Sequence, residues 1–422
     1  MNLYRITILS IGNEVLSGDT LNTNAAWLAA RCVSLGALVV EQRTVPDHVP
    51  TIVEALADLR ERCDMVITTG GLGPTHDDCT IAALIELFGD HLVLDEPTLA
   101  HLEQYAIERG RDPNSERLRS QALVPSTSQV LPNPLGTAPG LYFEPTTGAA
   151  VIVLPGVPRE MKLIMEQSGF ERIAAAMERR ECDVVAERVL LTAGVPESEL
   201  ADRIEPIRRQ LPSTVELAFL PSALSVRLRL RAVGKRAEVR RILDDAVLLL
   251  APAIGSAMLS DRDERLVDVL HRKCIAHGKT LAVAESCTGG MLGAEITSVP
   301  GSSSYFLGGL ICYADAVKIH FGGVRPETLA QYGAVSQQTV EELARYVRAA
   351  YGSDIAVAIS GIAGPSGGSD EKPVGTIWIA LADERGVDAR RFAFGTDRET
   401  NRVRACAAAM LMIIERLRAC DG

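Results

Sequence analysis

The sequence predicts an α/β protein of more than one domain. Three observations carry that prediction. In the first third and again in the last, short apolar runs alternate with segments of helical period, the pattern of a mainly parallel sheet covered by helices. Those runs repeatedly end in Ser, Thr, Gly, Lys or Tyr, at the strand ends where α/β sheets take their ligands. Finally, 422 residues, 47% of them hydrophobic and 23% charged, describe a globular chain with ample core, about three domains at ~150 residues each.

The first third reads in order as strand 5–11, helix 24–35, strand 37–42, helix 49–60, strand 65–69 and helix 80–87. The helix over 24–35 places Ala25, Leu28, Ala29 and Cys32 on one face, with Gly36 beyond its end. Between the third strand and its helix lie residues 69–78, Thr-Gly-Gly-Leu-Gly-Pro-Thr-His-Asp-Asp. Their glycines and Thr75 suit backbone donors wrapped around an anion at a helix start. Asp77 and Asp78 either complement the helix dipole or hold a hard cation that bridges to phosphate oxygens. Asn22-Thr-Asn24, residues 133–140 and residues 154–160 supply further polar and glycine-rich loops.

Residues 171–255 differ in character, with strands expected at 188–193, 215–219 and 225–232 and helices at 196–210 and 236–250. In Ser225-Val-Arg-Leu-Arg-Leu-Arg231 apolar and Arg residues alternate, so one face is buried and one is positive. RNA binding and a plain solvated face both fit that pattern. The solvated face is favoured, because the Gly-x-x-Gly loop that clamps RNA is missing between 186 and 250.

A polar linker, 260–264, leads to a helix over 265–277 stopped by Gly278. Strands follow near 280, 309, 357, 378 and 392, with helices at 337–351 and 400–418. The densest motif is residues 284–290, Ala-Glu-Ser-Cys-Thr-Gly-Gly, between a strand and a helix start. A Ser there is held at a strand end beside backbone donors, although a helix cap is the ordinary alternative. Nucleophilic chemistry at such a Ser needs a base and oxyanion donors beside it. His277 and His320 sit outside the motifs, so a Ser-Lys pair fits better than a Ser-His-Asp triad. Ser286 is the candidate nucleophile or holder of an attacking water, Lys318 the candidate base, and Tyr313 a candidate proton relay. Cys287 is the rival nucleophile.

Composition excludes some classes. A net charge of −11 argues against nucleic-acid binding, which rests on Lys and Arg meeting phosphates, but leaves small phosphorylated ligands open. Nine cysteines stand singly, without Cys-x-x-Cys pairs or zinc-like spacing to the seven histidines. Reduced thiols in the cytoplasm are the expectation, and the opening residues lack the features of a signal peptide. The apolar stretch 246–259 contains Pro252 and Gly255 and is too short to cross a bilayer.

The order of residues 284–290, 313–318 (Tyr-Ala-Asp-Ala-Val-Lys), 360–368 and 371–376 resembles the C-terminal domain of the CinA family, a domain similar to nicotinamide mononucleotide deamidase. Residues 69–78, 133–140 and 154–161 resemble that family's molybdopterin-binding-like N-terminal domain, and the middle segment its KH-like connector. The resemblance implies a molybdopterin-binding-like α/β domain over 1–170, a small α+β connector over 171–258 and an α/β deamidase domain over 262–422. It carries the functional Ser, Tyr and Lys onto Ser286, Tyr313 and Lys318. Substrate contacts are expected from Glu285, Thr288, Gly289, Ser303, Ser360, Gly361, Ala363, Gly364, Gly375, Thr376 and Arg402, with Ser303 and Arg402 toward phosphate or ribose.

For the N-terminal domain it implies ADP-ribose hydrolysis. Nucleotide contacts are expected from Asn22, Thr69, Gly70, Gly71, Gly73, Thr75, Gly136, Thr137 and Glu160, with a divalent metal ion on Asp77 and Asp78. Asn13 stands before Glu14, where many relatives carry Asp, so one polar contact is open. The expected activity is hydrolysis of nicotinamide mononucleotide to nicotinate mononucleotide and ammonia, without a cofactor, beside ADP-ribose pyrophosphatase. The partners expected are small nucleotides and a second copy of the chain, with no nucleic acid and no membrane. A non-catalytic scaffold or regulator connected with DNA uptake is the alternative.

Overall fold

The computed structural model describes residues 1–73 and 79–419, the side chain of Arg117 excepted. Contacts group the chain into two compact units, Met1–Glu187 with Arg231–Asp244, and Arg188–Leu230 with Asp245–Gly422.

The first unit is organised by a six-stranded sheet in the order Leu38–Val45, Arg5–Ile11, Met65–Thr69, Ala150–Leu154, Gly140–Phe143 and Gln129–Leu131. The first four strands run parallel, as the alternation of strands and helices requires. The last two are antiparallel and extend the sheet beyond what that alternation foretold. Met65–Thr69 is buried along its whole length, which is why it reads as an unbroken apolar run. Helix Thr23–Leu35 starts at Asn22, whose Oδ1 accepts the Ala25 N–H (3.1 Å), and stops at Gly36 in a left-handed conformation.

The middle of the chain forms a four-stranded sheet in the order Val215–Pro221, Ser225–Gly234, Val184–Ala193 and Met258–Ser260. Val226, Leu228 and Leu230 are buried while Arg227 is exposed, the alternation expected of a strand with one core face. Met258–Ser260 pairs antiparallel with Val184–Ala193, so part of the expected linker is a strand.

The second unit carries a five-stranded sheet in the order Phe306–Ile311, Leu281–Glu285, Ile355–Gly361, Thr376–Asp383 and Gly386–Ala393. The first three strands are parallel and the last two antiparallel. Its two faces differ in side-chain size. Ala282 pairs with Ala356 and Ala284 with Ala358, while Ala358 and Ala356 pair onward with Ala380 and Ala382. These alanines form one core with Val340, Leu343 and Val347 of helix Gln337–Tyr351. Leu281, Val283, Val357, Ile359 and Ile379 point the other way, into a core with helices Leu266–His277, Met291–Thr297 and Arg398–Arg418. The period of two along each strand separates the sets. Among the described residues no helix is long and apolar enough to cross a membrane.

Candidate functional site

Three parallel strands of the C-terminal sheet end at one edge, and Ser286 follows the middle one. Its N–H donates to the Ile359 carbonyl at 3.0 Å, which extends the ladder one residue past the strand. Gly289 and Gly290 then take φ of +61° and +93°, a left-handed pair that residues with a Cβ adopt only at a cost, and turn the chain into helix Met291–Thr297. Ser286 is buried. Among the described residues its hydroxyl has no hydrogen-bond partner.

The expectation that this helix start offers its N–H groups to a ligand is overturned. The carboxylate of Glu285 takes them: Oε2 accepts from Gly290 (3.0 Å) and Leu292 (3.1 Å), and Oε1 from Gly293 (2.8 Å). Glu285 is only 1% exposed, and its negative charge answers both the unpaired donors and the helix dipole. Glu285 is therefore a positioning residue for the turn rather than a substrate contact. Two N–H groups remain beside Ser286. That of Cys287 meets only its own thiol, and that of Thr288 has no acceptor among the described residues.

Cys287 packs into the core on the helix side of the sheet. Burial pushes its thiol up to about 12, the Glu285 charge adds to this, and Arg398 and Arg402 oppose it. A thiol held neutral in this way is a poor nucleophile at neutral pH, which favours Ser286 over Cys287.

Lys318 lies on helix Asp315–His320 and is buried. Its Nζ donates to the Tyr313 carbonyl at 3.0 Å and to Asp315 Oδ1 at 3.4 Å. No hydrogen bond joins it to Ser286 among the described residues. Tyr313 touches Lys318 through its main chain alone; its exposed phenol accepts from Arg398 Nη2 at 3.1 Å. The expected proton relay through that phenol therefore has no hydrogen-bonded path to Lys318.

Arg398 went unread in the sequence. Its Nη1 donates to the Gly364 carbonyl at 2.8 Å, so its guanidinium ties the loop after one outer strand to the residue after the other, with Ser286 on the strand between. Arg402, four residues on and on the same helix face, donates from Nη2 to the Thr288 carbonyl at 2.8 Å and keeps a buried Nε without a partner. Both charges reach Cys287, where they oppose the negative charge of Glu285. The spacing of Arg398 to Arg402 was the available signal.

The remaining expected contacts divide. Thr288 and Thr376 are buried with unpartnered hydroxyls. Gly289 lies under Arg402. Ser360 is already engaged, its hydroxyl donating to the Ala334 carbonyl at 2.7 Å. Gly361, Ala363 and Gly364 form the loop after their strand, and Asn401 Nδ2 holds the Ala363 carbonyl at 3.0 Å. Gly375 serves packing, since a Cβ there would lie 2.6 Å from the Phe394 carbonyl oxygen. Ser303 is misplaced by the sequence reading. It is exposed and precedes Phe306, which pairs with Leu281 at the start of the central strand. That strand's five residues separate it from Ser286 by about 16 Å at ~3.3 Å per residue.

In the N-terminal unit the ends of the parallel strands surround a cleft of about 520 Å³. Asn22, Thr69, Gly70, Gly71, Gly73, Thr137 and Glu160 all line it. Thr75, Asp77 and Asp78 lie outside the described residues. Asn24, whose role the sequence left open, binds two strand ends together: Nδ2 donates to Thr69 Oγ1 (3.1 Å) and the Gly156 carbonyl (2.7 Å). Among the described residues its buried Oδ1 has no partner. Gly70 has φ +112°, and a Cβ there would come within 2.0 Å of the Ile11 carbonyl oxygen, so only glycine fits the turn.

Glu14 and Asp47 line the same cleft. Asp47 accepts from the Asn13 N–H at 2.8 Å, a main-chain contact that Asp at 13 would make equally. Carboxylates are the oxygen ligands that hard cations take, though the described residues hold no set of three His, Cys, Asp or Glu placed for a metal.

Comparison with known proteins gives the family of each part of the chain. The family model "CinA C-terminal domain" matches residues 263–417, "Probable molybdopterin binding domain" residues 7–194, and "Damage-inducible protein CinA KH domain" residues 187–250. A CinA-like protein from Cytophaga hutchinsonii is 40% identical over 97% of each chain. Another from Gemmatimonas aurantiaca is 40% identical over 96% of this chain and 94% of its own. A solved CinA superfamily structure from Klebsiella pneumoniae is 35% identical and covers 37% of this chain and 99% of its own, with a TM-score of 0.36. The class is an α/β chain with a molybdopterin-binding-like domain, a KH-like connector and a CinA-type C-terminal domain. It belongs to the CinA family.

Proposed function

We propose that the C-terminal domain hydrolyses the carboxamide of nicotinamide mononucleotide, giving nicotinate mononucleotide and ammonia. The observation that carries the reading is Ser286: a buried residue at a strand end whose hydroxyl has no hydrogen-bond partner among the described residues, with Arg402 on the Thr288 carbonyl of its turn and Arg398 on the Gly364 carbonyl of the neighbouring loop. Ser286 attacks the carboxamide carbon. The free N–H of Thr288 and that of Cys287, next to the nucleophile, face the developing oxyanion in place of the helix start. Ammonia leaves with a proton, and water cleaves the ester to regenerate the hydroxyl. Lys318 supplies and recovers the proton, its third N–H position being open beyond the Tyr313 carbonyl and Asp315. Arg398 and Arg402 take the substrate phosphate. The test is turnover of nicotinamide mononucleotide, read as ammonia and as nicotinate mononucleotide. Product from wild type and none from Ser286→Ala supports the reading; no product from folded wild type rejects it.

A second activity in the N-terminal domain, metal-dependent hydrolysis of ADP-ribose, is favoured by the cleft with glycine turns on one side and Glu14, Asp47 and Glu160 on the other. Asp77 and Asp78 would hold a divalent ion at this cleft. Such an ion offsets charge on the attacked phosphate. Asp78→Asn should abolish that hydrolysis and spare deamidation. Hydrolysis that persists in chelator would remove the metal from the reading. The same reading makes the protein a cytoplasmic homodimer acting on free nucleotides. Deamidation also separates it from the alternative of a non-catalytic scaffold.

A further inference from the structure

The loop over residues 133–140 has two faces. One closes the strand-end cleft, which Thr137 lines together with Glu160. The other borders a second hollow of about 350 Å³, and Thr137 lines that as well. The wall between them is held by named bonds. Asn133, on the hollow side, donates from Nδ2 to Glu160 Oε2 (2.7 Å) and to the Ala138 carbonyl (2.8 Å). Its Oδ1 accepts the N–H groups of Leu135 and Gly136, both at 3.1 Å. From helix Glu96–Glu108, His101 Nε2 meets the Gly136 carbonyl at 3.3 Å. A carbonyl only accepts, so this nitrogen carries the proton and the ring is fixed beside the hollow.

Most of the rest of the hollow is stiff and apolar, with Asp95 and Thr98 at the start of helix Glu96–Glu108 as its remaining polar lining. Pro97, Pro132, Pro134 and Pro139 line it together with Val130. Prolines have fixed φ and no N–H, so this wall offers ring faces and no main-chain donors. Such a surface gives a phosphate nothing to bind, while a flat ring loses little by leaving water for it. The volume lies within the range of small-ligand pockets. The cleft next to it has the opposite character, with glycine turns and polar side chains.

We propose that this hollow receives the heteroaromatic base of a nucleotide whose phosphates lie in the cleft, the ligand crossing over Thr137. The inference rests on the reading of the cleft as a nucleotide site. It also gives the apolar face of the loop a purpose, since that face stands open beside the polar one.

The test is equilibrium binding to the full chain by calorimetry, with two probes, adenosine 5′-monophosphate and ribose 5-phosphate. They share a sugar phosphate and differ by the base. Wild type should bind the first about 10- to 100-fold more tightly, the range that one stacked base supplies. Val130→Trp fills the hollow and should erase that difference while leaving ribose 5-phosphate affinity unchanged. His101→Ala, which removes one wall, should reduce it in the same direction. Equal affinity of wild type for the two probes overturns the proposal, and so does a difference that survives in folded Val130→Trp. ADP-ribose hydrolysis is measured separately. Its absence alongside intact base discrimination counts against the hydrolase reading alone.

Discussion

The guanidinium of Arg398 donates to the phenol of Tyr313 at 3.1 Å and, through its other arm, to the Gly364 carbonyl at 2.8 Å. The bond fixes a phenol that is otherwise exposed, at the rim of the Ser286 turn. A phosphate arriving there finds the guanidinium already oriented. Arg398→Ala should lower kcat/KM for nicotinamide mononucleotide about 10- to 100-fold, the cost of losing a charged hydrogen bond, and mainly through KM. Arg398→Lys should restore little, because a point charge cannot span both partners. Unchanged KM in Arg398→Ala would separate this residue from the substrate.

Ser286 and Cys287 make opposite predictions. Ser286→Ala should be inactive. Cys287→Ala should keep most activity and lose some stability, because the thiol is packed in the core. With that thiol pushed up to about 12 by burial, it stays neutral across the working range. Iodoacetamide at pH 7–9 should therefore leave turnover intact, and the pH–rate profile should show no step near ~8.5, the ordinary thiol value. Inactivation by iodoacetamide that substrate prevents would return the nucleophile to Cys287.

Lys318 is tested by Lys318→Met, which keeps much of the volume of a buried side chain and removes the amine. Turnover should fall by at least ~10²-fold, the low end for losing a general base. Circular dichroism distinguishes this from unfolding. A folded Lys318→Met with near-normal turnover would show that the ammonium is structural, a tie to the Tyr313 carbonyl.

Glu285→Gln leaves three helix N–H groups facing one amide oxygen and a donor. The C-terminal unit should lose about 2–4 kcal/mol in urea unfolding, the worth of charged hydrogen bonds at a helix start. Turnover should fall with it, since the same bonds hold the turn. A stable but inactive Glu285→Gln would instead make this carboxylate part of the chemistry.

Asp354 accepts the Thr280 N–H at 2.8 Å and the Thr280 hydroxyl at 2.7 Å. The N–H bond is the main reason its carboxyl sits below the ordinary range, burial opposes it, and the Thr280 hydroxyl and Lys279 add to the lowering. A native pKa below the unfolded ~3.9 means stability is fully present above that pH and is lost as pH falls through the native value. Asp354→Asn should lower the urea midpoint at pH 7 and flatten its decline as pH falls below about 4. An identical acid limb in the variant would assign the decline to other carboxylates.

The legible parts of the fold were those with a helical period or a short apolar run bounded by loop residues. Helix Gln337–Tyr351 and strand Met65–Thr69 lie where the sequence places them. The direction of Thr376–Asp383 was not readable, because a run buried on both faces looks the same parallel or antiparallel. Strands of three residues, such as Leu123–Pro125, are too short to show alternation. At the site, Gly289-Gly290 marked the Ser286 turn. The role of Glu285 was hidden because neighbouring residues do not reveal which way a carboxylate folds back. Ser303 misled because a serine run beside a strand reads the same at its start as at its end.

The alanine face of the C-terminal sheet makes the domain asymmetric toward change. On the face toward Gln337–Tyr351 nearly every substitution of Ala282, Ala284, Ala356, Ala358, Ala380 or Ala382 adds atoms where a helix already lies in contact. On the other face most substitutions of Leu, Ile or Val take atoms away. Drift can therefore hollow out one side of the sheet but can only crowd the other. Of the two layers, the one carrying Arg398 and Arg402 has more freedom to be reshaped by sequence change.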